Sequence, residues 1–224
     1  MLSRHEEKYI LTYAQYALLR NRAVAALQPD PHGDQGTYTI TSLYYDDPQN
    51  TGLYEKLDGL ALHRKFRVRT YGSTDGFIKL ERKDKQGILT NKTSASITPE
   101  QLKILTDPGA WEAFTGTARE LVQEMQTKAM HPVVAIRYTR DAYYYPGTDF
   151  RLTFDRNIEV IPADARALTD SNVYGRPAME PGSVVMEIKY GSHIPAFARK
   201  LTQINAPQLS LSKYALCREQ LGDF

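Results

Sequence analysis

The chain has 224 residues, of which 42% are hydrophobic and 24% are charged. This balance is typical of a folded globular protein and gives no compositional argument for disorder. Its formal net charge is only +2, so no global basic excess indicates a nucleic-acid partner, and any anion site must be local. The sequence has no apolar run of about 20 residues, the length a membrane-spanning helix needs, and its first residues lack the apolar core of a signal peptide. The single cysteine, Cys217, excludes an internal disulfide, and a cytosolic protein is expected.

The first third of the chain predicts two strands and two helices. An alternating start is followed by "YAQYALLRNRAVAALQ", whose apolar residues recur at helical spacing. After a turn-rich loop, "TYTITSLYYDD" is rich in β-branched and aromatic residues and predicts a strand. A short helix is then expected to end at Gly59.

The middle of the chain carries the clearest strand pattern. Three alternating runs between Leu62 and Ser96, separated by glycine-containing turns, predict an antiparallel meander. Thr98, Pro99 and Gln101 form a helix start with a capping box, and helix is expected to continue to about Lys128.

The last third returns to strands and ends in helices. Two strands follow Pro132, a loop with at most one short strand or helix covers 161–182, and "SVVMEIKYG" predicts one more strand before two C-terminal helices. The sequence therefore predicts a single α+β domain over 1–224, built on long antiparallel strands.

The predicted strands place charged side chains where a second apolar face would be expected. Side chains on a strand alternate between the two faces, so Glu187 and Lys189 share a face opposite Met186 and Ile188. The same alternation recurs along the other strands. The charged faces contain Arg4, Glu6, Lys8, Lys65, Arg67, Arg69, Lys79, Glu81, Lys83, Lys92, Tyr138, Arg140, Arg151 and Asp155.

Two interpretations of these faces stay open. Each could be the solvated side of an antiparallel sheet. Alternatively, the sheet curls into a barrel whose charged faces line the interior, and such an interior must hold a polyanion or water. Arginine suits phosphate oxygens, and carboxylates among the cations suit Mg²⁺ or Mn²⁺. The carboxylates proposed as metal ligands are Glu6, Glu81, Asp155 and Glu187.

Eight short segments occur in an order that resembles one known family. They are Arg4-x-Glu6-x-Lys8-Tyr9, "SLYYD" at 42–46, "KFRVRTY" at 65–71, "LERK" at 80–83, "RYTR" at 137–140, "RLTFD" at 151–155, "MEIKY" at 186–190 and "SLSKY" at 210–214. Together they span nearly the whole chain, and the chain resembles a VTC-type polyphosphate polymerase domain, a branch of the triphosphate tunnel metalloenzymes.

The resemblance implies an antiparallel β-barrel that forms a triphosphate tunnel with helices packed outside. It implies transfer of the terminal phosphate of ATP to a growing polyphosphate chain with Mn²⁺ or Mg²⁺, and ATP, triphosphate, pyrophosphate and polyphosphate as ligands. Glu187 is the leading metal ligand that it implies. The phosphate-contacting residues that it implies are Lys8, Arg67, Arg69, Lys83, Lys92, Tyr138, Arg140, Arg151, Lys189, Ser212 and Lys213.

The chain departs from the wider superfamily at Arg4, which stands where a first glutamate often lies, and this favours the VTC branch. Two alternatives to the polymerase stay open: a hydrolase of triphosphate or polyphosphate, in which Glu81 or Glu6 orients water, and a non-catalytic polyphosphate-binding module. A separate membrane protein is a further expected partner, which would place the protein at the inner face of a membrane.

Overall fold

The computed structural model describes residues 5–72, 78–87, 89–191 and 193–222. Its strands are β1 (His5–Leu11), β2 (Gln28–Pro29), β3 (Thr37–Asp46), β4 (Leu62–Tyr71), β5 (Ile78–Gln86), β6 (Leu89–Ile97), β7 (His131–Tyr144), β8 (Arg151–Ile161), β9 (Arg176–Pro177) and β10 (Val184–Tyr190). Its α-helices are α1 (Tyr13–Ala26), α2 (Thr51–Leu57), α3 (Pro99–Lys103), α4 (Gly116–Thr127), α5 (Ala196–Leu201) and α6 (Lys213–Leu221). Short 3₁₀-helices cover Ala110–Ala113 and Ala165–Leu168.

Two compact units, each made of separate chain segments, can be distinguished. Unit 1 comprises Met1–Thr39, Tyr138–Ile158 and Pro177–Ser212, and unit 2 comprises Ile40–Arg137, Glu159–Arg176 and Lys213–Phe224. The expectation of a single domain over 1–224 stays a prediction.

Unit 1 is built on strands in the order β1-β10-β8-β7. β10 lies antiparallel between β1 and β8, with Lys8 opposite Glu187 and Glu187 opposite Thr153. The apolar face of these strands packs against α1 and α5. Its core includes Leu19 and Ala23 of α1, Leu152 and Phe154 of β8, Met186 and Ile188 of β10, and Ala198 and Leu201 of α5.

Unit 2 is built on strands in the order β3-β4-β5-β6, each antiparallel to its neighbours. The predicted meander is therefore confirmed. The apolar faces pack against α3 and α4. This core includes Leu43 of β3, Phe66 and Val68 of β4, Leu80 of β5, Leu102 of α3, and Leu121 and Met125 of α4.

The predicted α+β fold, with antiparallel strands whose apolar faces are covered by helices, is confirmed. The capping box is also present, because the Thr98 side chain accepts from Gln101 N at 3.2 Å and the Gln101 side chain accepts from Thr98 N at 3.0 Å. The helix expected to run on to Lys128 is instead broken into three pieces: α3 ends at Lys103, a 3₁₀-helix covers Ala110–Ala113, and α4 begins at Gly116. Segment 161–182 holds both a 3₁₀-helix and the two-residue β9, one element more than predicted.

Across the part of the chain that the structure describes, no helix is both long and apolar enough to cross a membrane.

Candidate functional site

The charged sides of β3 to β6 in unit 2 form a surface that we call the cationic face. Strand register sets its side chains in three rows across the sheet. The first row is Ser42, Arg69, Lys79 and Ser96; the second is Tyr44, Arg67, Glu81 and Ser94; the third is Lys65, Lys83 and Lys92. The three lysines of the third row lie directly opposite one another on neighbouring strands, where like charges repel.

Glu81 is the carboxylate at the centre of this face, and its side chain is only 1% exposed. Arg67 Nε lies 2.7 Å from Glu81 Oε2, and the Lys92 ammonium contacts the other carboxylate oxygen. Burial by itself raises the pKa of Glu81, but the positive charges of Arg67, Arg69 and Lys92 lower it to about 2. Glu81 is therefore ionised at neutral pH and holds Arg67 and Lys92 in place.

Two hydroxyl groups hold the arginines of β4 from the neighbouring β3. Arg69 Nε donates to Ser42 Oγ at 3.0 Å, and Arg67 Nη1 donates to the Tyr44 hydroxyl at 3.2 Å. Ser42 is fully buried, and Tyr44 and Arg69 are each 8% exposed. Both guanidinium groups are thus fixed by the fold, which suits the recognition of an anion in one orientation.

Helix α6 adds an aromatic side chain to unit 2 beside the cationic face. The Tyr214 ring stacks on the Tyr44 ring with centroids 5.1 Å apart, and Lys65 Nζ lies 5.3 Å from the Tyr214 centroid. The Tyr214 hydroxyl donates to Asp46 Oδ2 at 2.5 Å and accepts from Arg218 Nη1 at 2.9 Å. These contacts fix Tyr214, and through it the ring of Tyr44.

Unit 1 contains a chain of alternating charges that we call the ion network. Lys8 Nζ lies 2.6 Å from Glu6 Oε1, and Lys189 Nζ lies 2.9 Å from Glu187 Oε1 and 3.9 Å from Glu6 Oε2. Arg140 Nη2 lies 3.9 Å from Glu187 Oε2. Arg140 also pairs with Asp155. The ion network therefore contains three predicted carboxylates and three predicted cations: Glu6, Asp155 and Glu187, and Lys8, Arg140 and Lys189.

The Arg140–Asp155 pair is the most buried part of the ion network. Arg140 Nε and Nη2 donate to the two oxygens of Asp155 at 2.7 and 2.8 Å, and Arg140 lies over the Tyr138 ring at 5.4 Å. Burial alone would lower the pKa of Arg140, yet the negative charge of Asp155 raises it well above its ordinary value. Arg140 therefore stays charged.

A second ion pair lies one residue further along β7 and β8, and here the aspartate is on β7 and the arginine on β8. Asp141 is fully buried and accepts from Arg156 Nε at 3.1 Å. The Tyr16 hydroxyl and Thr37 Oγ1 also donate to Asp141, each at 2.7 Å. Because side chains alternate along a strand, this pair lies on the opposite face of the sheet from Arg140 and Asp155.

Three further predicted phosphate-contacting residues, Arg151, Ser212 and Lys213, lie at or beside the ion network or the cationic face. Arg151 is exposed and lies opposite Lys189 in register. Lys8 Nζ donates to the carbonyl of Leu211, the residue before Ser212, at 3.1 Å. Lys213 begins α6, and its positive charge lowers the pKa of Tyr44.

A family model described as the VTC domain matches residues 3–221. The chain belongs to the VTC domain family. The resemblance inferred from the eight ordered segments is confirmed. No curated protein sequence shows a significant match.

Solved structures share the fold of this VTC domain at low sequence identity. A protein from Pyrococcus horikoshii OT3 is 12% identical with a TM-score of 0.55, and the match covers 98% of each chain. A candidate adenylyl cyclase from Hippeastrum, described as having a dominant triphosphatase activity, is 13% identical with a TM-score of 0.55 over 98% of this chain and 96% of that one. A candidate adenylate cyclase from Bacillus halodurans is 10% identical with a TM-score of 0.51 over 89% of this chain and 87% of that one.

The predicted metal ligands of the VTC domain fall in both units. Glu6, Asp155 and Glu187 lie in the ion network of unit 1, whereas Glu81 lies on the cationic face of unit 2. Both Asp155 oxygens accept from Arg140. Within residues 5–72, 78–87, 89–191 and 193–222, no three His, Cys, Asp or Glu side chains gather as a metal site. Each ligand assignment stays a prediction, and Arg4 lies outside the described residues.

Sequence analysis missed the hydroxyl groups that position the cations. Ser42 and Tyr44 belong to the segment "SLYYD", and strand alternation places both on the charged side of β3. This alternation is the sequence signal that could have identified them. The contact between Tyr214 and Tyr44 joins residues far apart in the chain and has no local signal.

Proposed function

We propose that this VTC domain is a metal-dependent phosphotransferase that moves the terminal phosphate of ATP onto a growing polyphosphate chain. The observation that carries the proposal is the cationic face of unit 2. It places the three lysines of one row beside two fixed arginines, with the single buried carboxylate Glu81 among them. This arrangement suits a ligand with several negative charges along its length.

Transfer of a phosphoryl group depends mainly on positioning and on stabilisation of developing charge. Arg67 and Arg69 would bind phosphate oxygens, because a guanidinium group offers several N–H donors in a planar fork. In the polymerase reaction the attacking atom is a terminal phosphate oxygen of the acceptor chain. That oxygen is already ionised at neutral pH, so the reaction requires no strong general base.

Two carboxylates of the ion network, Glu6 and Glu187, would hold a divalent cation by exchanging their contacts with Lys8 and Lys189 for the metal, with the substrate supplying further ligands. Mg²⁺ is commonly held by one or two carboxylates together with phosphate oxygens. Glu187 and Glu6 both lie within 4 Å of the same Lys189 ammonium, at 2.9 and 3.9 Å, so their carboxylates are neighbours. In unit 1, Glu187 with Glu6 would hold the ion, which would offset the negative charge of phosphate oxygens bound by Lys8 and Arg151 of the same unit. Whether the ion is Mn²⁺ or Mg²⁺ is decided by the assay below.

A triphosphatase is the second candidate function. The Hippeastrum protein that shares the fold is described as having dominant triphosphatase activity, which supports this alternative. Hydrolysis requires a group that orients water. Glu81 is held by Arg67 and Lys92, and this engagement makes a water-orienting role less favourable than its role as a counterion.

The deciding experiment supplies the purified protein with ATP and either Mn²⁺ or Mg²⁺. Products are separated on a gel stained for polyphosphate, and free phosphate is measured in parallel. Long chains with little free phosphate support the polymerase, whereas free phosphate without chains supports the triphosphatase. Neither product, together with retained polyphosphate binding, would support a binding module that acts with a separate membrane protein. Arg67→Ala should lose activity in this assay, and Arg119→Ala, at an exposed position of α4, is its matched control.

A further inference from the structure

Tyr44 combines burial with a position among positive charges. It lies on β3 in unit 2, is 8% exposed, and faces the same side of the sheet as Arg67 and Arg69. Arg67 Nη1 donates to its hydroxyl oxygen at 3.2 Å. The hydroxyl is therefore used as an acceptor by the protein.

The proton of that hydroxyl remains to be accounted for. A tyrosine hydroxyl carries one donor as well as its acceptor sites, and buried donors nearly always have a partner. Within the described part of the chain, the Tyr44 hydroxyl donates to no carboxylate or carbonyl. The charged groups that act on it are the cations Arg67, Arg69 and Lys213, which offer no acceptor.

We propose that the Tyr44 hydroxyl donates a hydrogen bond to a phosphate oxygen of the bound chain while it accepts one from Arg67. Tyr44 would then be a substrate-binding residue that also positions Arg67. This inference rests on the proposed function of the cationic face.

The surroundings of Tyr44 prepare it for this role. The stacked ring of Tyr214, with an interplanar angle of 24°, restricts rotation of the Tyr44 ring. Burial raises the pKa of the Tyr44 hydroxyl, but Arg67, Arg69 and Lys213 lower it overall, and an acidic hydroxyl is a stronger hydrogen-bond donor.

The first test measures binding of tripolyphosphate by calorimetry at neutral pH, without metal, to three proteins. They are the wild type, Tyr44→Phe and the matched control Tyr45→Phe. Tyr45 is the next residue, is also buried, and faces the apolar core. We expect Tyr44→Phe to bind about 10-fold to 100-fold more weakly, the range for a lost hydrogen bond to a charged group, and Tyr45→Phe to bind like the wild type.

The outcomes separate the two proposals. If the wild type does not bind tripolyphosphate, the proposed function fails and the inference fails with it. If the wild type binds and Tyr44→Phe binds equally well, the inference alone is overturned.

A second readout separates binding from a structural role. The groups that face Tyr44 are Arg67 and Arg69 of β4, and Lys213 and Tyr214 of α6; all are retained in Tyr44→Phe. Only the wild type loses the Tyr44 proton at alkaline pH, so its advantage in affinity over Tyr44→Phe should shrink there. A constant advantage across the pH range would overturn the donor role. If Tyr44→Phe does not fold, tripolyphosphate should instead raise the pH at which the assigned NMR signals of the Tyr44 ring shift in the wild type, and no change would overturn the proposal.

Discussion

Replacing Glu81 by Gln tests the counterion role at the centre of the cationic face. The substitution keeps the shape of the side chain but removes the negative charge between Arg67 and Lys92. The fold lowers the pKa of Glu81 from 4.5 to about 2. Because one pKa unit corresponds to about 1.4 kcal/mol, the ionised carboxylate stabilises unit 2 by about 3 kcal/mol at neutral pH. We expect Glu81→Gln to lower the free energy of unfolding by that amount.

The pH dependence gives the sign of the effect. A carboxylate whose pKa is lower in the folded state contributes its full stabilisation above its ordinary pKa of 4.5, and that contribution is lost as the pH falls towards 2. The difference in stability between the wild type and Glu81→Gln should therefore have its full, constant value from about pH 6 upwards and shrink as the pH falls from 4.5 towards 2.

Urea unfolding measured by tryptophan fluorescence is a suitable assay. The sequence has one tryptophan, Trp111, which lies in unit 2 and packs against its core. Glu120→Gln, at an exposed position of α4, is the matched control and should change stability by less than about 0.5 kcal/mol. Equal stability of Glu81→Gln and the wild type at neutral pH would refute the counterion role.

Three further substitutions test the two units separately. Arg67→Ala should weaken tripolyphosphate binding about 10-fold to 100-fold, because it removes a charge-assisted contact, while Arg119→Ala should bind like the wild type; calorimetry that gives equal affinity for Arg67→Ala would count against the cationic face. Glu187→Gln should abolish metal-dependent turnover in the ATP assay and leave the circular dichroism spectrum unchanged, and retained turnover would remove Glu187 as a metal ligand. Asp141→Asn should lower the stability of unit 1 by about 2 kcal/mol, since it removes the charge of a fully buried carboxylate that accepts hydrogen bonds from Tyr16, Thr37 and Arg156; an unchanged thermal unfolding curve would contradict this reasoning.

The parts of the fold that could be predicted are those with a local signal. Alternation places Arg67, Arg69 and Glu81 on one side of their strands because the period of a strand is fixed by backbone geometry. The capping box at Thr98 is likewise set by residues close in sequence. Which cations share a cluster depends on how strands from distant segments pair, so the division of the predicted ligands between two units could not be foreseen. The buried bond from Tyr16 to Asp141 spans 125 residues and had no signal at all.

The two oppositely ordered pairs on β7 and β8 favour one alignment of these strands over a slipped one. β7 carries the dipeptide Arg140-Asp141, and β8 carries Asp155-Arg156. A one-residue slip between these strands would turn one dipeptide over relative to the other, so that both arginines shared one side of the sheet and both aspartates the other. With Asp141 and Asp155 both fully buried, two carboxylates would be forced together away from water. The native alignment of β7 and β8 is therefore favoured by charge as well as by packing.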